Sequence, residues 1–130
     1  MKGYLDRDTS YPLIDLIVNG HTVTCLIDTG FTGDLALGID MADTLSLDLS
    51  AESSFSKVAG EGRVPTKESS AHVKWFDQSR EVGVTVFSSE TVGPKDGIIG
   101  VHMLIGYILV IDLNEGIVVI KNPAFREVFR

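Results

Sequence analysis

The chain has 130 residues, 44% of them hydrophobic, with 11 Lys and Arg against 18 Asp and Glu for a formal charge of −7. A chain this long can bury roughly two thirds of the surface its unfolded form exposes, so a single domain over residues 1–130 is expected without help from metal or disulfides. The acidic balance and the lack of any basic run argue against nucleic acid or an anionic membrane as partner, and the lone cysteine, Cys25, excludes an internal disulfide and any Cys-x-x-Cys site.

Residues 1–10 are charged and lack the apolar stretch of an export signal, so a cytoplasmic location is expected. Residues 11–27 read as two strands joined by Asn19-Gly20, the dipeptide that best tolerates the positive φ angles of a type I′ hairpin. Val23, Cys25 and Ile27 share one face of the second strand, and Thr22, Thr24 and Leu26 share the other. That strand ends at Asp28, and a loop with two glycines leads through Asp34 to the apolar run Leu35-Ala36-Leu37. A short helix is expected over 40–45, with Asp40 as its cap and Ile39, Met41, Ala42 and Leu45 facing inward.

Strands are then expected over 55–58, 63–67, 71–76 and 80–87, the first two separated by the turn Gly60-Glu61-Gly62. Residues 88–96 are polar, contain Gly93-Pro94 and read as a loop. Ile98-Ile99-Gly100 opens an apolar segment that ends near Ile105 with the length of one or two helical turns. The whole apolar stretch 97–111 is too short to span a bilayer and reads as buried core. A last hairpin is expected from 107–112 and 117–121 around Asn114-Glu115-Gly116. The pattern is that of a mostly β protein, a closed barrel with one or two short helices.

Several chemistries can be struck out by inspection. There is no Gly-x-x-x-x-Gly-Lys, Gly-x-Ser-x-Gly or His-Glu-x-x-His, and Gly60-x-Gly62 lacks the third glycine of a dinucleotide fingerprint. His21, His72 and His102 lack metal-ligand spacing, so no metal or other cofactor is expected. Cys25 lies mid-strand among apolar neighbours and reads as a small core side chain rather than a nucleophile.

What remains is Leu26-Ile27-Asp28-Thr29-Gly30, a carboxylate at the mouth of an apolar strand followed by a hydroxyl and a glycine. Asp-Thr-Gly arises by chance in roughly 3% of chains of this length, and a solvated turn would carry the same residues. A second element far downstream, Gly97-Ile98-Ile99-Gly100 with the apolar run to Ile105, strengthens the case. With this pair the sequence resembles the retropepsin-like aspartic proteases (clan AA) from Tyr11 to Lys121.

The resemblance implies a catalytic Asp28, with Thr29 locking the loop against its dimer mate and Gly30 allowing close approach. Ile98, Ile99 and Gly100 would form the strand supporting that loop, and Ala59, Gly60, Glu61, Gly62 and Arg63 the tip of a substrate-covering flap. One Asp-Thr-Gly per chain then implies a homodimer acting on peptide or protein, with the apolar chain ends Tyr4, Leu5, Phe125, Val128 and Phe129 contributing to its interface. Retroviral members carry a small residue after Asp-Thr-Gly, then an aspartate paired with an arginine that follows the later glycine; here those places hold Phe31, Thr32 and Val101, so that ion pair is absent. Asp-Thr-Gly-Phe-x-Gly is similar to the bacterial branch of the clan. Phe31 has no hydroxyl to offer the aspartate, and a ring near the carboxylates would shift activity toward neutral pH. Two other readings fit the same residues: a non-catalytic module of this fold for dimerisation or peptide binding, and a monomeric β-barrel that binds a small ligand.

Overall fold

The structure is a computed structural model that describes residues 1–50, 54–58, 62–88 and 96–123; for 54–58 and 62–63 it describes the backbone alone. The strands are β1 (Lys2–Leu5), β2 (Pro12–Val18), β3 (His21–Ile27), β4 (Leu35–Gly38), β5 (Ser54–Val58), β6 (Gly62–Trp75), β7 (Gln78–Phe87), β8 (Gly97–Ile99), β9 (Ile108–Asp112) and β10 (Ile117–Lys121). Two short helices interrupt them, α1 (Ile39–Thr44) and α2 (Val101–Leu104).

The β2–β3 hairpin forms where the turn residues place it. Asn19 and Gly20 hold φ of 47° and 82°, both left-handed as a type I′ turn requires. The turn is docked as well: Asn19 N–H donates to the His72 carbonyl at 2.9 Å, and the His72 N–H donates to Asn19 Oδ1 at 2.8 Å. The ring of strands β2–β3–β8–β4–β7–β6 closes where β6 returns to β2 through the pair Val18 and Val73. The product is a closed six-stranded barrel, from which β5 extends along β6 and the β1–β10–β9 layer extends from β2.

Period-two alternation fills the barrel. Ile14, Leu16 and Val18 of β2, Val23, Cys25 and Ile27 of β3, Leu35 and Leu37 of β4, Val82, Val84 and Val86 of β7 and Ile99 of β8 form one buried cluster, closed by Met103 of α2 and by Trp75. Burying each of the larger aliphatic side chains contributes about 1.5–3 kcal/mol, which makes this cluster the main source of stability. Among the described residues no helix is long and apolar enough to cross a membrane.

Four local expectations change. Residues 62–75 are one strand rather than two, because β7 pairs along it from Thr66 to Trp75 and the 48–50 segment hydrogen-bonds Glu68 and Ser69. The polar run Lys67 to Ser70 is a half-solvated stretch of that strand. α1 begins one residue early with Gly38 as its N-cap and no side-chain cap bond, so Asp40 lies in the first turn instead of capping it. The apolar segment from Gly97 divides into a strand and one helical turn, because β3 and β4 flank its first three residues and impose extended geometry. β1 and β4, which carry little pattern of their own, are strands because their neighbours supply partners.

Candidate active site

Asp28 stands where β3 leaves the sheet. Its N–H donates to the Ile99 carbonyl at 3.0 Å, extending the parallel β3–β8 ladder by one residue before the chain turns. Phe31 N–H then donates to the Asp28 carbonyl at 3.1 Å, closing a turn over Thr29 and Gly30. Within the turn the Gly30 N–H donates to Asp28 Oδ1 at 2.8 Å, which fixes the direction of the carboxylate. Gly30 permits this approach, since a Cβ there would lie only 3.1 Å from that oxygen. Asp28 is half-buried, while Thr29 and Gly30 are exposed beside it.

The loop is held from behind by backbone groups of β8 and α2. Gly100 N–H donates to the Asp34 carbonyl at 2.9 Å, Val101 N–H to that of Phe31 at 2.8 Å, and His102 N–H to that of Gly33 at 3.2 Å. Thus the loop's carbonyls satisfy N–H groups that the first turn of α2 would otherwise leave unpaired, and the helix needs no side-chain cap. Gly100 has to be glycine for steric reasons: an added Cβ would sit 2.4 Å from both the Phe31 and the Gly33 carbonyl oxygens.

Phe31 folds back onto its own loop. A Cβ on Gly33 would meet its Cζ at 2.6 Å, and one on Gly100 its Cδ2 at 2.6 Å. The ring also packs, with Ile98 and Val64, against buried Ala36 and Phe87, a small apolar cluster outside the barrel core. These contacts make Phe31 a packing element of the loop, so the pH effect expected of a ring lying over the carboxylate has no geometric support here.

Of the residues singled out in the sequence, Asp28, Thr29, Gly30, Ile99 and Gly100 come together at this crossing. Ile98 points to the opposite face from Ile99, pairing with Leu26 and Ala36. The flap tip Ala59-Gly60-Glu61 lies outside the described residues, and Gly62 opens β6 opposite Val58. The tail residues Phe125, Val128 and Phe129 also lie outside them. A cavity of about 200 Å³ between α1, β6 and β7, lined by Ile39, Leu49, Thr66 and Phe87 among others, includes no residue of the Asp28 loop.

Cys25 is fully buried behind the site, and burial first, with Asp96 and Asp15 adding negative charge, pushes its thiol up to about 12. It is a core side chain with no access to a substrate. His21, His72 and His102 are exposed on β3, β6 and α2. Asp34 and Arg80 were not singled out from the sequence, yet Arg80 Nη2 lies 3.9 Å from Asp34 Oδ1, at the end of the loop. No local pattern marks this pair, which joins β7 to the end of a loop far away in sequence. Gly33 did leave a signal in the Phe-x-Gly spacing, whose reason is the Phe31 ring stacked over it.

No family model matches the chain, and no curated protein matches it in sequence. Among solved structures it is similar to a retropepsin-like aspartic protease from Rickettsia conorii, at 18% identity and a TM-score of 0.70, over 94% of this chain and 89% of that one. It is also similar to EIAV protease complexed with the inhibitor HBY-793, at 17% identity and a TM-score of 0.56, over 76% of this chain and 89% of that one. The fold is therefore retropepsin-like: mostly β, a closed six-stranded barrel with two short helices.

Proposed function

We propose that the protein is a homodimeric aspartic endopeptidase in which Asp28 of two copies activates one water. The observation that carries this reading is the Asp28 turn: a partly solvated carboxylate, aimed by the Gly30 N–H and fixed by the β8 backbone, at the mouth of a barrel with the fold of known aspartic proteases. Peptide hydrolysis needs one group to take a proton from water and another to give one to the carbonyl oxygen. Two carboxylates about 3 Å apart at an effective dielectric near 20 repel by roughly 5 kcal/mol if both are charged, so the pair holds one proton and can do both tasks. One chain supplies one such carboxylate, and the second comes from the partner copy across a two-fold axis.

Water attacks the scissile carbonyl as the ionised Asp28 takes its proton, and the protonated Asp28 donates to the carbonyl oxygen. The resulting tetrahedral species collapses as the nitrogen leaves with a proton from the pair. Ala59, Gly60, Glu61 and Gly62, which follow β5 in the sequence, bind an extended peptide and offer it backbone groups.

The test is cleavage of a diverse peptide library from about pH 3 to 8 by wild type and Asp28→Asn, with molecular mass by sedimentation. Cleavage by a dimer that falls at least about 1,000-fold in the variant is expected. Intact peptides from a dimeric wild type would turn the reading to a non-catalytic binding module, and a monomer to a small-ligand barrel. Gly62→Val is expected to raise KM with little change in thermal stability.

A further inference from the structure

Resting on the reading of Asp28 as catalytic, we propose that Arg80 is a positioning residue that closes a ring of polar links around the Asp28 loop. Arg80 projects from β7, one-third exposed, with its guanidinium 5.8 Å from the centre of the Trp75 ring. The guanidinium meets two segments at once. Nη1 donates to the Met103 carbonyl at 3.3 Å and Nη2 to the His102 carbonyl at 3.4 Å, both at the end of α2. Nη2 also faces Asp34 Oδ1, the last residue of the loop, while Asp34 Oδ2 accepts from the Gly83 N–H at 3.3 Å.

The need for such a residue follows from the length of α2. A helix of one turn leaves most of its backbone groups without internal partners. The Val101 carbonyl accepts from Ile105 N–H and the Leu104 carbonyl from Tyr107 N–H; those of His102 and Met103 accept from Arg80. At its other end α2 donates Val101 and His102 N–H to the Phe31 and Gly33 carbonyls. The links therefore run from the loop through α2 to Arg80, and from Arg80 through Asp34 back to the loop. Lysine could neutralise Asp34, but as a point donor it cannot span both carbonyls and the carboxylate in one plane. Arg80 thus holds α2 at the spacing that keeps the Asp28 turn in register, and touches no reacting atom.

The experiment compares wild type, Arg80→Gln, Arg80→Lys and Asp34→Asn in the full chain, by peptide cleavage and by amide hydrogen exchange. In Arg80→Gln, kcat should fall by about 100-fold, the scale of a misplaced catalytic group, with KM changed less than about twofold. Exchange at Val101 and His102 should quicken while the β2–β3 amides keep their protection. Arg80→Lys should recover part of kcat, and Asp34→Asn should show a smaller loss of the same kind. Unchanged kcat in Arg80→Gln, or exchange that quickens equally throughout the barrel, overturns the positioning role. If wild type cleaves no peptide, the protease reading falls by itself, and exchange at Val101 and His102 still decides whether Arg80 closes the ring.

Discussion

In the β2–β3 hairpin each ladder partner, from Leu13 with Leu26 to Val18 with His21, lies within residues 12–27, and the turn between them carries its own conformational instruction in Asn19-Gly20. The Asp28 crossing adjoins it on β3 but draws its partners from Ile99, Gly100, Val101 and His102, far along the chain. One region is held by turn chemistry and alternation, the other by backbone contacts that exist only after the barrel has closed. Loop-closure entropy has to be overcome before such contacts contribute, so the crossing depends on the fold more than the fold depends on it. For the proposed catalytic role this arrangement would be an advantage, because a turn fixed on two sides holds its carboxylate in one place.

The hardest way to break the contrast is Gly100→Ala. Its Cβ would meet two carbonyl oxygens at 2.4 Å, and both are acceptors for α2. The substitution should cost about 3 kcal/mol in a urea titration and remove cleavage activity, since the loop has to leave α2 to make room. A variant as stable and active as wild type would show the crossing to be compliant.

Alkaline pH probes the strand the two regions share. Cys25 pairs with Ile14 in the hairpin and with Gly97 at the crossing. Its thiol, pushed from 9.0 to about 12, keeps its proton in the folded state over a range where the unfolded chain loses it. The unfolded state binds fewer protons there, so stability should fall as pH rises through that window and be fully present below it. Cys25→Ala should flatten that part of the stability profile, and thiol reagents at neutral pH should label wild type only when it unfolds.

A gentler perturbation is Gly20→Ala. Nothing lies within 4 Å of the added Cβ, but φ of +82° disfavours it, so a loss of about 1 kcal/mol with unchanged kcat is expected. The smallest effect should come from Ile17→Thr on the outer face of β2, at 44% exposure, where thermal unfolding should report a change within about 0.5 kcal/mol. Together these two separate hairpin stability from site geometry: if either changes kcat, the regions are coupled more tightly than their hydrogen bonds indicate.

The legibility of the sequence follows the same division. Asn19-Gly20 announced its hairpin, and the alternation of Val82, Val84 and Val86 announced β7, because turn preference and period-two burial are local properties. Asp28 stood out through Asp-Thr-Gly and its apolar approach, and Gly100 through its place after two isoleucines. Arg80 and Asp34 left no such trace: each is an ordinary surface-type residue until β7 and the loop are brought together. Phe31 invited a reading based on its nearness in sequence to Asp28, whereas its ring is directed by Gly33, Gly100 and Phe87.

By itself, then, the sequence determined the strand pattern, the hairpin turns and the residue types at the crossing, since these depend on side-chain alternation and backbone preference over a few neighbours. Only the tertiary structure decided that Lys2–Leu5 and Leu35–Gly38 are strands, that residues 62–75 form one continuous strand, and which groups support Asp28. The physical reason is that an unpaired backbone N–H or carbonyl has no preference among distant partners until the core places one within reach.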